Sequence, residues 1–233
     1  IFFTPNSSVN YIRGTIPVGN ESFTVKAAVA DAVKLFSNKM NAVLKLSGYR
    51  DFDVKPVPND GSNEFQQLNK KLLYSFVSPT LDSINYWFLK KSVNLFGESL
   101  VKSIGYYKSK TGSTDSGVSV IRDFWSKNGV NKSALKIIDG SGLSPANRIT
   151  TQALVTVMQY AKSRPWFESF FHALPEMNGI KMKDGYIGGV RSYTGYVKSD
   201  NGKEFTFSFI VNNFDGNPGT AREKIWKVLD ILK

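Results

Sequence analysis

The chain has 233 residues, 41% of them apolar, with no cysteine, one histidine and a formal charge of +11. That is enough apolar material for one large domain, or one domain and part of another. It excludes disulfides, thiolate metal sites, a cysteine nucleophile and any metal centre that needs two or more histidines. No apolar run approaches the roughly 20 residues of a membrane span. The basic balance suits nucleic acid, an anionic membrane surface or an acidic wall polymer, but the lysines are spread along the chain without a run of five or six.

The N-terminal stretch IFFTPNSSVNYIRG lacks the basic region and small-residue cleavage site of a signal peptide and does not start with Met. A processed or truncated piece is expected. VNYIRGTIPV and FTVKAAVA flank GNES and predict a hairpin. Asp31 predicts the N-cap of a helix that reaches about Leu46 and stops at Gly48, with Leu35, Phe36, Met40, Val43 and Leu44 on one face. FDVKPV predicts a short strand. The polar PVPNDGSNEFQQ predicts a linker, which puts the domain boundary between residues 62 and 63.

KKLLYSFVSP predicts a strand. Residues 79–105 have a helical pattern interrupted near 90–92, followed by a polar loop, YKSKTGSTDSG, and a short helix, VSVIRDFWSKNG. TTQALVTVMQYAKS predicts a helix with Ala153, Leu154, Val157, Met158 and Ala161 as its buried stripe. GGVRSYTGYVK and KEFTFSFIVNN predict a hairpin turning at SDNG. TAREKIWKVLDILK predicts a closing helix with Ile225, Leu229, Ile231 and Leu232 against the sheet. Helices in the middle and hairpins at the ends predict an α+β fold, an antiparallel sheet flanked by helices.

Few routes to nucleophilic chemistry remain. A Ser-His-Asp triad has only His172 to draw on, and that residue ends an aromatic helix, WFESFFHALP. A serine activated by a lysine is the other route. It is used by the penicillin-recognising enzymes, which carry S-x-x-K, then S-x-N, then K-T-G. The literal KTG at 110–112 and SDN at 199–201 fall in a loop and a hairpin turn and run in the wrong order. Ser92-Val93-Asn94 and Lys183-Asp184-Gly185 are looser matches in better contexts. S-x-N also occurs at Ser8 and Ser126. Helix N-capping is the plain alternative for Ser92, and a solvated lysine the alternative for Lys183.

Between these two motifs lies IIDGSGLSPANRIT, residues 137–150. Asp139 and Ser141 can bond nearby backbone, and Thr150 can cap the next helix. This loop closely resembles a stretch of the class C penicillin-binding proteins, the D-alanyl-D-alanine carboxypeptidase/endopeptidase family. SPTLDSINYWFLKKSVNLFGESLVKSIG resembles that family's S-x-N segment. KDGYIGGVRSYTGYV with GKEFTFSFIVN resembles its K-T-G strand and the paired strand. The resemblance covers residues 70–233 well and the first 60 more loosely.

The resemblance implies a beta-lactamase/transpeptidase-like domain from residue 63 onward, with residues 1–62 as the tail of an inserted domain. It implies acyl transfer through a serine ester on peptidoglycan stem peptides, reaction with β-lactams, no metal or other cofactor, and export to the periplasm or cell envelope. A membrane-surface association also fits the charge. Ser92 would relay a proton, Asn94 hold the substrate amide and Lys183 supply positive potential. Asp184, Gly185 and Tyr186 would border the substrate, and Asp139 and Ser141 would build a cleft wall.

Three departures stand out. No S-x-x-K precedes Ser92, and the two later matches, at Ser99 and Ser133, follow the second motif. The nucleophile is therefore expected upstream of Ile1 or absent. Asp184 stands where the family has a hydroxyl residue that helps receive the substrate carboxylate, which weighs against carboxypeptidase action more than endopeptidase action. Pro145 stands where relatives often carry a basic residue, with Arg148 and Arg191 as the candidate replacements. The rivals are a wall-peptide-binding pseudoenzyme and a basic nucleic-acid-binding module, the latter without any groove-reading motif.

Overall fold

The computed structural model describes residues 14, 15, 18, 19, 24, 29, 31–50, 72 and 74–233. The chain divides into two compact units, Ile1–Ser75 and Phe76–Lys233. The expected N-terminal hairpin, the FDVKPV strand, the linker and the 62/63 boundary lie outside the described residues.

In the first unit, α1 spans Ala32–Leu46. Asp31 caps it by accepting the Lys34 N–H, and Gly48, at φ +87°, follows its end. The expected apolar face is there, but Leu35, Phe36, Met40 and Val43 are exposed. Spacing decides which residues share a face, not what covers it. Residues 72 and 74–79 form no strand, contrary to expectation, and Tyr74, Phe76 and Val77 are exposed. None of the described strands runs beside them, and strand propensity without a partner is weak.

The second unit opens with α2 (Leu81–Lys91) and α3 (Asn94–Ser109), which part at Ser92 and Val93 as the sequence predicts. The loop expected at 107–117 is shorter. Lys110 closes α3 in a left-handed conformation, and Ser113 caps α4 (Thr114–Lys127) by accepting the Ser116 N–H. Ser-Thr-Asp-Ser is thus a helix start, not a loop. Two short strands, β1 (Leu135–Lys136) and β2 (Arg148–Ile149), pair antiparallel across the intervening loop. Val130, Leu135 and Ala153 form a small core beneath them.

α5 (Thr151–Lys162) is capped by Thr150. Its Ala153, Met158 and Ala161 are buried, and Leu154 and Val157 half-buried. α6 (Phe167–Ala173) leads into the sheet β3 (Glu176–Met177), β4 (Ile180–Ile187), β5 (Val190–Lys198) and β6 (Glu204–Val211), an antiparallel meander in that order. α7 (Pro218–Asp230) covers one face. Its Ile225 and Leu229 pack on Ile180, Met182, Tyr193, Val197 and Phe207. Leu232 joins this core, but Ile231, expected inside, lies past the helix end and is exposed. On the other face Tyr196 packs with Met158, Leu174, Leu89 and the Phe167–Phe171 aromatics. The second unit is the expected antiparallel sheet flanked by helices.

Candidate functional site

Ser92 is held at φ 51°, ψ 49°, the left-handed region, where a residue with a Cβ is strained. It is the C-cap of α2 and not an N-cap. Val93 holds the N-cap position of α3, without a side-chain bond, and Asn94 is the first residue of that helix. The turn leaves Ser92 and Asn94 exposed, with the polar side chains free of helix-capping duty. The preceding turn of α2 is anchored through Leu89, which packs against the cluster of Met158, Leu174 and Tyr196. The S-x-N turn thus follows a helix that packs mainly on α6, on the side of the sheet away from α7.

The 137–150 loop is fastened to α3. Glu98 Oε1 accepts the Gly140 N–H at 3.1 Å and the Ser141 N–H at 2.9 Å. Gly97 and Gly140 allow this approach: a Cβ on Gly97 would lie 2.3 Å from the Gly140 carbonyl oxygen, and one on Gly140 would lie 2.2 Å from that of Gly97. Asp139 organises the loop from within. Its carboxylate accepts the Gly142 N–H, the Ser144 N–H and the Asn147 side-chain amide. Asn147 Oδ1 in turn accepts the Ile138 N–H. Arg148 folds back on its own loop and donates to the carbonyls of Pro145 and Asn147. Asp139 and the Ser141 backbone thus shape the loop and bind it to the helix that Asn94 begins.

Lys183 lies mid-strand in β4, opposite Thr194 of β5. Strand alternation puts Met182 in the α7 core and Lys183 on the opposite face, beside Thr194, whose hydroxyl bonds Ser208 of β6 at 3.0 Å. Gly185 faces the same way; a Cβ there would lie 2.6 Å from Ser192 Oγ. β3 pairs with β4 only at Ile180 and Lys181. The Met182 N–H still points to that side, donating to Pro175 O at 3.0 Å. By the two-residue period, the peptide groups of Asp184 and Tyr186 face the same edge, which no described strand covers.

Lys183 Nζ bends over this open edge. It donates to the Asp184 carbonyl at 3.0 Å and to Asp184 Oδ1 at 3.1 Å. The pair is half-buried, with side chains 26% and 39% exposed. Tyr186 is exposed, with the Arg191 guanidinium 4.8 Å from its ring centre. Arg191 is committed elsewhere as well, donating to Pro218 O and Tyr193 Oη. Both candidate replacements for a basic residue at Pro145 thus donate to oxygens of the protein itself, Arg148 within its own loop and Arg191 at the sheet.

Among the described residues, no hydrogen bond joins Ser92, Asn94 and Lys183 to one another, and no group of three His, Cys, Asp or Glu could hold a metal ion. His172 is stacked on Tyr86, ring centres 5.5 Å apart. Ser199 and Asn201 bond each other in the hairpin turn, as their position predicts. A cavity of about 440 Å³ between α4 and Ile137–Ile138 includes none of the candidate residues. Sequence reasoning missed Glu98 and Gly97, whose partners lie more than 40 residues away. It also missed the Thr194–Ser208 pair. The only local hint was an acid beside a glycine within a helix.

The model of the D-Ala-D-Ala carboxypeptidase 3 (S13) family matches residues 6–177. The match stops before β4, so the strand with Lys183 lies beyond it. A D-alanyl-D-alanine carboxypeptidase from an Actinomadura species is 28% identical over 229 residues, covering 88% of this chain and 41% of that protein. A penicillin-sensitive carboxypeptidase A from Dictyostelium discoideum is 24% identical, covering 91% of this chain and 44% of that protein. The fold is similar to that of penicillin binding protein 4 from Haemophilus influenzae, solved with a β-lactam. The TM-score is 0.71 at 20% identity, over 82% of this chain and 47% of the other. The chain thus spans less than half the length of these relatives.

Proposed function

The chain belongs to the D-Ala-D-Ala carboxypeptidase 3 (S13) family, and from that premise we propose that its complete gene product is a serine-type D-alanyl-D-alanine carboxypeptidase/endopeptidase of the cell envelope. Residues 63–233 would form the C-terminal part of its penicillin-binding domain, and residues 1–62 the tail of an inserted one. The observation that carries the reading is Ser92. Its side chain and that of Asn94 are exposed at the break between α2 and α3, and neither is used to cap a helix, so the turn presents both polar groups as a site would need.

In this reading a serine Oγ, supplied from outside the chain described here, attacks the carbonyl carbon of the penultimate D-alanine. The ester C–O bond forms, the C–N bond breaks, and the serine proton passes by way of Ser92 to the departing amine. Water then adds to the ester. It releases the shortened peptide as an acid and returns a proton to the serine oxygen. Asn94 would hold the substrate amide, and the ammonium of Lys183 would favour the negative charge that develops at the carbonyl oxygen. The open edge of β4, with the Asp184 and Tyr186 peptide groups facing outward and Gly185 leaving room, would take the peptide backbone as an added strand. The loop around Asp139 and Ser141 would form a wall. No cofactor is needed.

A second reading, a peptide-binding pseudoenzyme, is favoured by one feature, the pairing of Lys183 with Asp184. D-Alanine release from a peptide ending in D-Ala-D-Ala separates the two. The enzyme reading expects turnover by the complete gene product and a loss of about 10²-fold or more in kcat for Ser92→Ala. Peptide binding without turnover would establish the pseudoenzyme and overturn the first reading.

A further inference from the structure

We propose that Asp184 sets the specificity of the open β4 edge, turning it toward peptides whose end is uncharged there, an amide or a cross-linked residue, and away from a free terminal carboxylate. The inference rests on the acyl-transfer reading of this site. It starts from charge. The Lys183 ammonium is already shared between the carboxylate and the carbonyl oxygen of Asp184, at 3.1 and 3.0 Å. The pair adds no net charge. A ligand reaching Lys183 along this edge meets a carboxylate that is 39% exposed.

The cations on this part of the sheet already donate to other groups. Lys181, two residues back on the same face, donates to Leu174 O and lies 6.0 Å from the Phe171 ring centre. Arg191 donates to Pro218 O and Tyr193 Oη and stacks on Tyr186. A ligand carboxylate would therefore have to displace Asp184 from Lys183 or sit unpaired beside it. A neutral amide meets neither cost. It can accept from Lys183 while the ion pair stays in place, and its N–H groups can donate to the exposed Asp184 oxygen. For half-exposed charges a few ångströms apart, the resulting discrimination is on the order of tenfold.

The test uses the complete gene product and two acetylated peptides that end in D-Ala-D-Ala, one with a free carboxylate and one capped as the amide. Their kcat/KM values are measured for the parent, Asp184→Asn, Asp184→Thr and Asp184→Glu, and each variant's melting temperature verifies folding. The parent is expected to prefer the amide. The ratio should shift about tenfold toward the carboxylate in the Asn and Thr variants and stay near the parent value in the Glu variant. A ratio that moves less than twofold in Asp184→Asn, or a parent that prefers the carboxylate as strongly as the variants do, overturns the proposal. Benzylpenicillin labelling of the same samples separates the levels. Labelled protein with an unmoved ratio defeats only the role of Asp184. Protein that neither labels nor cleaves defeats the acyl-transfer reading, and this inference with it.

Discussion

Replacing Gly97 with alanine should separate the 137–150 loop from α3. The new Cβ would lie 2.3 Å from the Gly140 carbonyl oxygen, 2.9 Å from its carbon and 3.0 Å from Phe88 Cε2. The first two are backbone atoms and cannot rotate away. To reach ordinary contact the loop must retreat by about 1 Å. That stretches the bonds from Gly140 and Ser141 N–H to Glu98, now 3.1 and 2.9 Å, past hydrogen-bonding range. Each bond to a charged acceptor is worth about 1.5–3 kcal/mol. Alanine in a helix returns about 1 kcal/mol. The net loss is about 2–5 kcal/mol, or roughly 5–20 °C in melting temperature for a unit of this size. Thermal melts read the stability, and hydrogen exchange at the Gly140 and Ser141 amides reads the local release. Gly112→Ala is the control, because its Cβ would meet nothing nearer than Tyr106 Cβ at 3.9 Å. A Gly97→Ala variant that melts within 2 °C of the parent, with both amides still protected, would refute the reasoning.

Three further outcomes are expected. Glu98→Ala should expose the Gly140 and Ser141 amides to exchange, whereas Glu98→Gln, which keeps an acceptor oxygen, should retain part of their protection. Tyr196 donates to Met158 O at 2.6 Å, and burial pushes its phenol well above the usual range. Tyr196→Phe should cost about 1 kcal/mol in chemical denaturation. In the parent, the stability linked to this raised value is present below pH about 10 and lost as pH rises beyond it, so one phenol should ionise only on alkaline unfolding. The carboxyls of Asp123, Glu204 and Asp230 are lowered by Lys132, by Lys162, and by Lys233 with Asn178. Depressed carboxyls stabilise the fold above pH about 4 and lose that effect as pH falls below it. Melting temperatures recorded from pH 7 to 3 should fall at the acid end, and less steeply when all three acids are made amides.

What could be read from the sequence was local. Asp31 and Thr150 announce helix starts, because capping needs only a side chain and a backbone amide three residues on. The SDNG hairpin follows from turn chemistry, and the break at 92–93 from the failing apolar period. What could not be read was set by partners far along the chain. Glu98 acts on a loop more than 40 residues away, and the two glycines matter only because two backbones meet there. Tyr74, Phe76 and Val77 have the composition of a strand, but composition does not supply a neighbouring one. At the site, the sequence placed Ser92, Asn94 and Lys183 in plausible contexts. It did not show that Ser92 is left-handed or that Lys183 turns back on Asp184.

The central claim is that this chain forms the second part of an acyl-transferring cleft. Intact-mass measurement of the complete gene product after incubation with benzylpenicillin tests it most directly. The account predicts a stoichiometric acyl adduct that forms much more slowly in Lys183→Ala and Ser92→Ala. Folded protein that stays at its unmodified mass, at saturating antibiotic and long incubation, would contradict it.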